Sequence, residues 1–149
     1  MKTKLTLLTV TAIVLLTVFA FKTEQQNNAL LDGTWQLTAF DYGRGSGKPN
    51  VVRLKVLHEG IFEGYVLTAE KSAKTMNGKF KVLNDSVYSE TLVNALNKPM
   101  IGKTYEIKYS LNGNVMTTKG SFDAKDENGQ AVKGHYNETW TRVDYPQIQ

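Results

Sequence analysis

The sequence predicts an all-β domain of eight short antiparallel strands, and three observations carry that expectation. Apolar residues recur with a period of two across most of Gly33 to Val143, the spacing that puts alternate side chains on one face of a strand. All three prolines, Pro49, Pro99 and Pro146, fall between or after these runs, where a missing N–H costs no ladder hydrogen bond. No run of comparable length carries a helical period.

Gly33 to Tyr42 reads as the first strand, with Trp35, Leu37 and Ala39 on one face. Val51 to Leu57 alternates Val52, Leu54 and Val56 with Arg53 and Lys55. Ile61 to Ala69 is a third strand with bulky groups on both faces, so its register stays open. Gly78 to Leu83 sets Phe80 and Val82 against Lys79 and Lys81, and Asn84-Asp85 forms a tight turn into Ser86 to Leu92. In that strand Tyr88, Glu90 and Leu92 share a face. Within Thr91 to Gly102, the segment from Val93 to Asn97 could form a helical turn.

Lys103 to Leu111 is the clearest strand, with Tyr105, Ile107, Tyr109 and Leu111 alternating with polar residues. Asn112-Gly113 then predicts a two-residue hairpin into Asn114 to Phe122, because both central positions of such a turn need φ > 0. His135 to Val143 ends the pattern, with Tyr136, Glu138, Trp140 and Arg142 on one face. Eight antiparallel strands protect their edges by closing into an up-and-down barrel or by stacking as a sandwich.

The start of the chain has a different character. Met1-Lys2-Thr3-Lys4 is basic, Leu5 to Phe21 is a 17-residue apolar run, and Val18-Phe19-Ala20 suits a cleavage site before polar residues. That order predicts a signal peptide over 1–20, a polar linker over 21–29, a domain over 30–145 and a tail over 146–149. The competing reading is a retained anchor, for which the run is short of the ~20 residues of a span. With cleavage, no stable membrane span is expected, and the product is periplasmic or secreted.

The leader also holds two of the 18 basic residues; without it the formal charge falls from +4 to +2, against 14 acidic residues. No basic cluster remains to mark a nucleic-acid surface. Zero cysteines exclude disulfides, thiolate metal sites, a cysteine nucleophile and lipid attachment at cysteine. The domain must therefore rest on its own core.

Two segments bear on barrel against sandwich. Leu31-Asp32-Gly33-Thr34-Trp35-Gln36-Leu37 resembles the Gly-x-Trp opening of lipocalin-like proteins. Glu138-Thr139-Trp140-Thr141-Arg142-Val143 is similar to the last strand of bacterial lipocalin-like domains of unknown function, and Gly78-Lys79-Phe80 with Tyr88-Ser89-Glu90-Thr91 to their middle. The resemblance runs from Leu31 to Val143 and implies an eight-stranded antiparallel up-and-down lipocalin-like barrel. It also implies that Trp35 plugs one end of the barrel and that Arg142 packs across it. The sequence departs from secreted animal lipocalins in having no disulfide and no long helix after the barrel.

Other chemical signals fail on spacing. Gly43-Arg44-Gly45-Ser46-Gly47-Lys48 lacks the first glycine and the Ser or Thr of a phosphate-binding loop. Asp126-Glu127-Asn128-Gly129 does not fit a calcium loop in register. His58 and His135 have no metal-ligand spacing, and no residue pair shows a catalytic one. No metal, cofactor or enzymatic activity is expected.

What stands out is the face shared with Trp35. By parity it would carry Leu37, Val52, Leu54, Tyr88, Glu90, Tyr105, Ile107, Tyr109, Tyr136 and Glu138. Two carboxylates among tyrosines are unusual in a plain core, since buried charge needs a partner. Two readings stay open. In one, Glu138 pairs with Arg142 and the tyrosines satisfy one another, giving a filled barrel that acts as an interaction module of the cell envelope. In the other, these ten residues line a cavity for a small hydrophobic or amphipathic ligand, with Glu90 or Glu138 as its polar anchor. Oligomeric state is not legible.

Overall fold

A computed structural model describes residues 28–43, 45–125 and 131–144. The expected leader, nearly all of the linker and the 146–149 tail lie outside the described residues.

The fold is all-β, a closed antiparallel barrel of eight long strands with one short addition. The strands are β1 (Gly33–Asp41), β2 (Ser46–Gly47), β3 (Val52–His58), β4 (Ile61–Leu67), β5 (Ser72–Asn84), β6 (Val87–Ala95), β7 (Thr104–Asn112), β8 (Val115–Lys125) and β9 (Ala131–Arg142). Each long strand pairs with the next, and β1 pairs with β9 to close the ring. β2 pairs with the last residues of β1, Phe40 and Asp41. Closure removes the unpaired edges that an open sheet would expose.

Local chemistry explains the corners. Asn112 pairs with Val115, so the tip of the β7–β8 hairpin is Gly113-Asn114. Gly113 has φ 58°, whereas among the described non-glycine residues only Glu59 has a positive φ. A positive φ at the first central position alone is the pattern of a II′ turn. The expected Asn112-Gly113 tip is thus displaced by one residue, because II′ geometry asks for glycine first. The β5–β6 turn is displaced in the same way: Asn84 pairs with Val87, leaving Asp85-Ser86 at the tip. The Asn84 side chain stays at the corner and accepts from the Ser86 N–H at 2.9 Å.

The helical turn lies later than expected. Val93 to Ala95 continue β6, and a 3-10 turn forms at Lys98–Met100 with Pro99 inside it. β5 also begins six residues earlier than its apolar pattern, at Ser72.

Pairing register sets which side chains face inward. Trp35 lies opposite Lys55, and Lys55 lies opposite Gly64. Lys55, not Leu54, therefore shares the inner face with Trp35, and β3 is inverted relative to its apolar pattern. Val52 and Leu54 point outward, beside Gln36, Tyr65 and Leu67. They are nonetheless only 6% and 8% exposed, which explains why they read as core. Ala39 is a second correction. β1 has a bulge at Thr38, between the Leu37–Trp140 and Ala39–Thr139 pairs. One extra residue reverses the parity of the strand beyond it, so Ala39 turns outward and Phe40 turns toward the core.

Candidate functional site

The lumen has two unlike halves. The half near the start of β1 is packed with Trp35, Leu57, Phe62, Phe80, Val82 and Met116, all buried. The segment before β1 caps it: Leu31 is fully buried, and the Trp35 indole N–H donates to its carbonyl at 2.8 Å. The Arg142 guanidinium lies 4.5 Å from the centre of the Trp35 ring. Its N–H groups donate to the carbonyls of Asp32 at 2.7 Å and Leu30 at 2.9 Å. The cation thus stacks on an aromatic face while meeting carbonyls that lie outside the strand ladders. This arrangement also rules out the Glu138–Arg142 pair that a filled barrel called for.

Halfway along the lumen the lining becomes charged. Lys55 makes a 2.7 Å ion pair with Glu90, and both side chains are buried. The same ammonium donates to the Tyr88 hydroxyl at 3.3 Å and lies 5.4 Å from the Trp140 ring. Burial works against the charged form of Lys55, but the carboxylates of Glu90 and Glu138 outweigh it and the pKa is raised. Burial, then Glu90, push the Tyr88 phenol well up.

Glu138 is held by neutral donors. It accepts from the Tyr42 hydroxyl at 2.9 Å, the Trp140 indole N–H at 3.2 Å and the Thr118 hydroxyl at 3.4 Å. Burial and the neighbouring Glu138 raise Tyr42 to about 12, against an opposing effect of Arg53. Tyr136 is also raised, by burial first, although Lys55 opposes the shift.

Beyond this layer, toward the end of β1 and the β6–β7 connection, the lumen is hollow. A cavity of about 230 Å³ is walled by Met76, Leu92, Met100, Tyr105, Ile107 and Tyr136, with Lys55, Glu90 and Glu138 on its polar side. A second space of about 300 Å³ lies against Leu37, Arg53, Gly64, Val66 and Trp140. The two share Lys55, Met76 and Glu138. Gly120 lies opposite Tyr136 on the inner face. A Cβ at Gly120 would collide with the Tyr136 ring and its hydroxyl oxygen. Glycine there lets the Tyr136 ring lie close against the β8 wall.

Of the ten lining residues expected from sequence, Glu90, Tyr105, Ile107, Tyr136 and Glu138 border the first cavity and Leu37 the second. Tyr88 touches the site through its hydroxyl on Lys55. Tyr109 lies deeper in the packed half, edge-on to Tyr88 at 5.7 Å, and its hydroxyl donates to the Asn84 carbonyl at 3.3 Å. Val52 and Leu54 face outward, although Leu54 still borders the second space. Sequence reasoning missed Lys55, Tyr42 and Thr118. A signal for Lys55 existed in charge balance: two inward carboxylates require a nearby cation, and Lys55 lies on a strand already counted.

Among the described residues no group of His, Cys, Asp and Glu could hold a metal ion, and no helix is long and apolar enough to cross a membrane.

The fold and lumen define a closed eight-stranded antiparallel barrel, packed at one end and open to a charged, aromatic-walled cavity at the other. Residues 30–149 match the family described as a domain of unknown function, DUF4488, and the chain belongs to that family. No curated protein matches it. Among solved structures, it is similar to an uncharacterized protein from Bacteroides eggerthii DSM 20697, with a TM-score of 0.52 and 16% identity. That match covers 75% of this chain and 98% of the other, and at this identity it speaks for the fold alone.

Proposed function

We propose that this domain is an exported, non-catalytic, lipocalin-like carrier that holds a small hydrophobic or amphipathic molecule in the open half of its barrel. The observation that carries the reading is the cavity beside Lys55, Glu90 and Glu138, with thioether, aliphatic and aromatic groups as its walls. Small-molecule sites characteristically combine apolar walls with a few polar groups that set orientation. The carboxylates are engaged, Glu90 by Lys55 and Glu138 by three donors, which favours binding over proton-transfer chemistry. The expected leader supports a periplasmic or secreted location.

The envelope-module reading draws on a different observation. Val93, Leu96 and Ile101, near the β6–β7 connection, are 51%, 75% and 44% exposed, an apolar group of the kind that marks interaction surfaces.

Native mass spectrometry of protein purified from its own host separates the two. A carrier should show a bound small molecule that is lost on denaturation. Apolar fluorescent probes should also bind, with an affinity that Tyr105→Ala changes without unfolding the barrel. A bare polypeptide mass together with no displaceable probe binding would overturn the carrier reading in favour of the envelope module.

A further inference from the structure

We propose that the ligand carries a protonated amine on an apolar body, and that this ammonium pairs with Glu138. The inference rests on the carrier reading and specifies the chemical class it would take.

The lumen holds two carboxylates and one ammonium. Lys55 is committed to Glu90 at 2.7 Å. The ion pairs among the described residues do not include Glu138, whose hydrogen-bond donors, Tyr42, Thr118 and Trp140, are all neutral. Arg53 also borders the second space, but it is exposed, is engaged with Tyr42 and forms no ion pair with Glu138. Glu138 is half-buried and feels the Lys55 charge without a direct contact, so a cation arriving with the ligand would supply the close partner it lacks. Glu138 borders both cavities, so an ammonium can reach it from either.

Oxygen capacity is available. Each carboxylate oxygen can accept about two hydrogen bonds, and on one of them the Tyr42 hydroxyl is the donor present. The surroundings report the same sign of potential. Lys55 is raised despite its burial, and the acidic neighbours add to burial in raising Tyr42, Tyr88 and Tyr136. The apolar body would lie against Met76, Leu92, Met100 and Ile107.

The test compares three probes of one chain length, octylamine, octanol and octanoate, by calorimetry at neutral pH on the full chain and on Glu138→Gln. Wild-type protein should prefer octylammonium to octanol by about tenfold or more, the scale of a charge-assisted hydrogen bond, and should bind octanoate most weakly. Glu138→Gln keeps the side-chain shape; it should bring the amine and the alcohol to similar affinity, mainly by weakening octylammonium. Equal binding of all three probes, or a preference for octanoate, would overturn the charge assignment while leaving the carrier intact. An amine preference that survives in Glu138→Gln would overturn the role of Glu138. Failure of every probe would remove the carrier reading and this inference with it. If the variant does not fold, the wild-type headgroup order still decides the charge class, and NMR contacts of bound octylammonium with the Glu138 side chain support the assigned partner, whereas contacts with Glu90 instead overturn it.

Discussion

Neutralising Lys55 while leaving Glu90 in place would strand a carboxylate in the middle of the lumen. Lys55→Met should therefore cost about 3–5 kcal/mol, the range for breaking a buried pair from one side. The double variant Lys55→Met with Glu90→Leu should recover much of that loss, since an apolar pair needs no counter-ion. Urea unfolding of the two single variants and the double gives the coupling directly; simple addition of the single effects would show that the 2.7 Å contact contributes nothing. The same residues set the alkaline limit. Tyr42 is raised to about 12 from an ordinary value of 10.0, and Tyr88, Tyr136 and Lys55 are raised as well. Groups that hold protons more tightly when folded contribute stability that is complete below their unfolded values and is lost as pH rises through the folded ones. The melting temperature should thus hold level up to about pH 10 and fall steeply above it. Of the seven tyrosines, Tyr42, Tyr88 and Tyr136 should ionise only together with unfolding, visible in tyrosinate absorbance. Early ionisation of all seven would contradict the buried network. At this scale much was legible in the sequence: the Trp35–Arg142 contact is what the lipocalin-like resemblance implies, and the inward carboxylates and most inward tyrosines follow from parity. Lys55 was hidden because a lysine between valines and leucines reads as solvent-facing, and only its partner on another strand reverses that.

At the scale of single elements, the β7–β8 hairpin depends on one backbone conformation. Gly113 has φ 58°, a region where a β-branched side chain is strained. Gly113→Val should cost at least about 1–2 kcal/mol, whereas Gly113→Asn should be milder because asparagine tolerates left-handed backbone. Nothing lies within 4 Å of a Cβ placed there, so the effect isolates backbone strain from crowding. Thermal melts of the two variants test this, and equal melting temperatures would argue against the turn. Strand existence was readable almost throughout, because most of the long strands carry an apolar alternation. Strand facing was less so. The outer side of β3 is nearly as buried as its inner side, so Val52 and Leu54 carry the same apolar signal as core residues. The bulge at Thr38 leaves no mark in the sequence, yet it turns Phe40 inward, on the way to Tyr42 and its bond to Glu138. The early part of β5, Ser72 to Asn77, has little apolar alternation and owes its strand state to its neighbours β4 and β6.

For the molecule as a whole, the division into a packed half and a hollow half is a matter of volume. Composition and parity identify who faces the axis, but not whether those side chains meet. Here the bulk at Trp35, Phe62 and Phe80 fills one end, while Gly64 and Gly120 supply no side chain toward the other. The ring closure has a consequence of its own. β1 and β9 are the first and last strands of the ring, yet they are bonded neighbours from Trp35–Arg142 to Asp41–Asn137. Arg142 reaches the carbonyl of Leu30 at 2.9 Å, so the two ends of the barrel sequence meet at one rim. The order in which the strands are covalently strung is then largely independent of who touches whom. A circular permutant should therefore fold: a short Gly/Ser linker of about six residues would join residue 144 to residue 28, with new ends cut between Gly113 and Asn114. Its far-ultraviolet spectrum should match the parent, and it should still unfold in one cooperative step. A permutant that stays unstructured would mean that chain order, as well as contact, governs how this ring assembles.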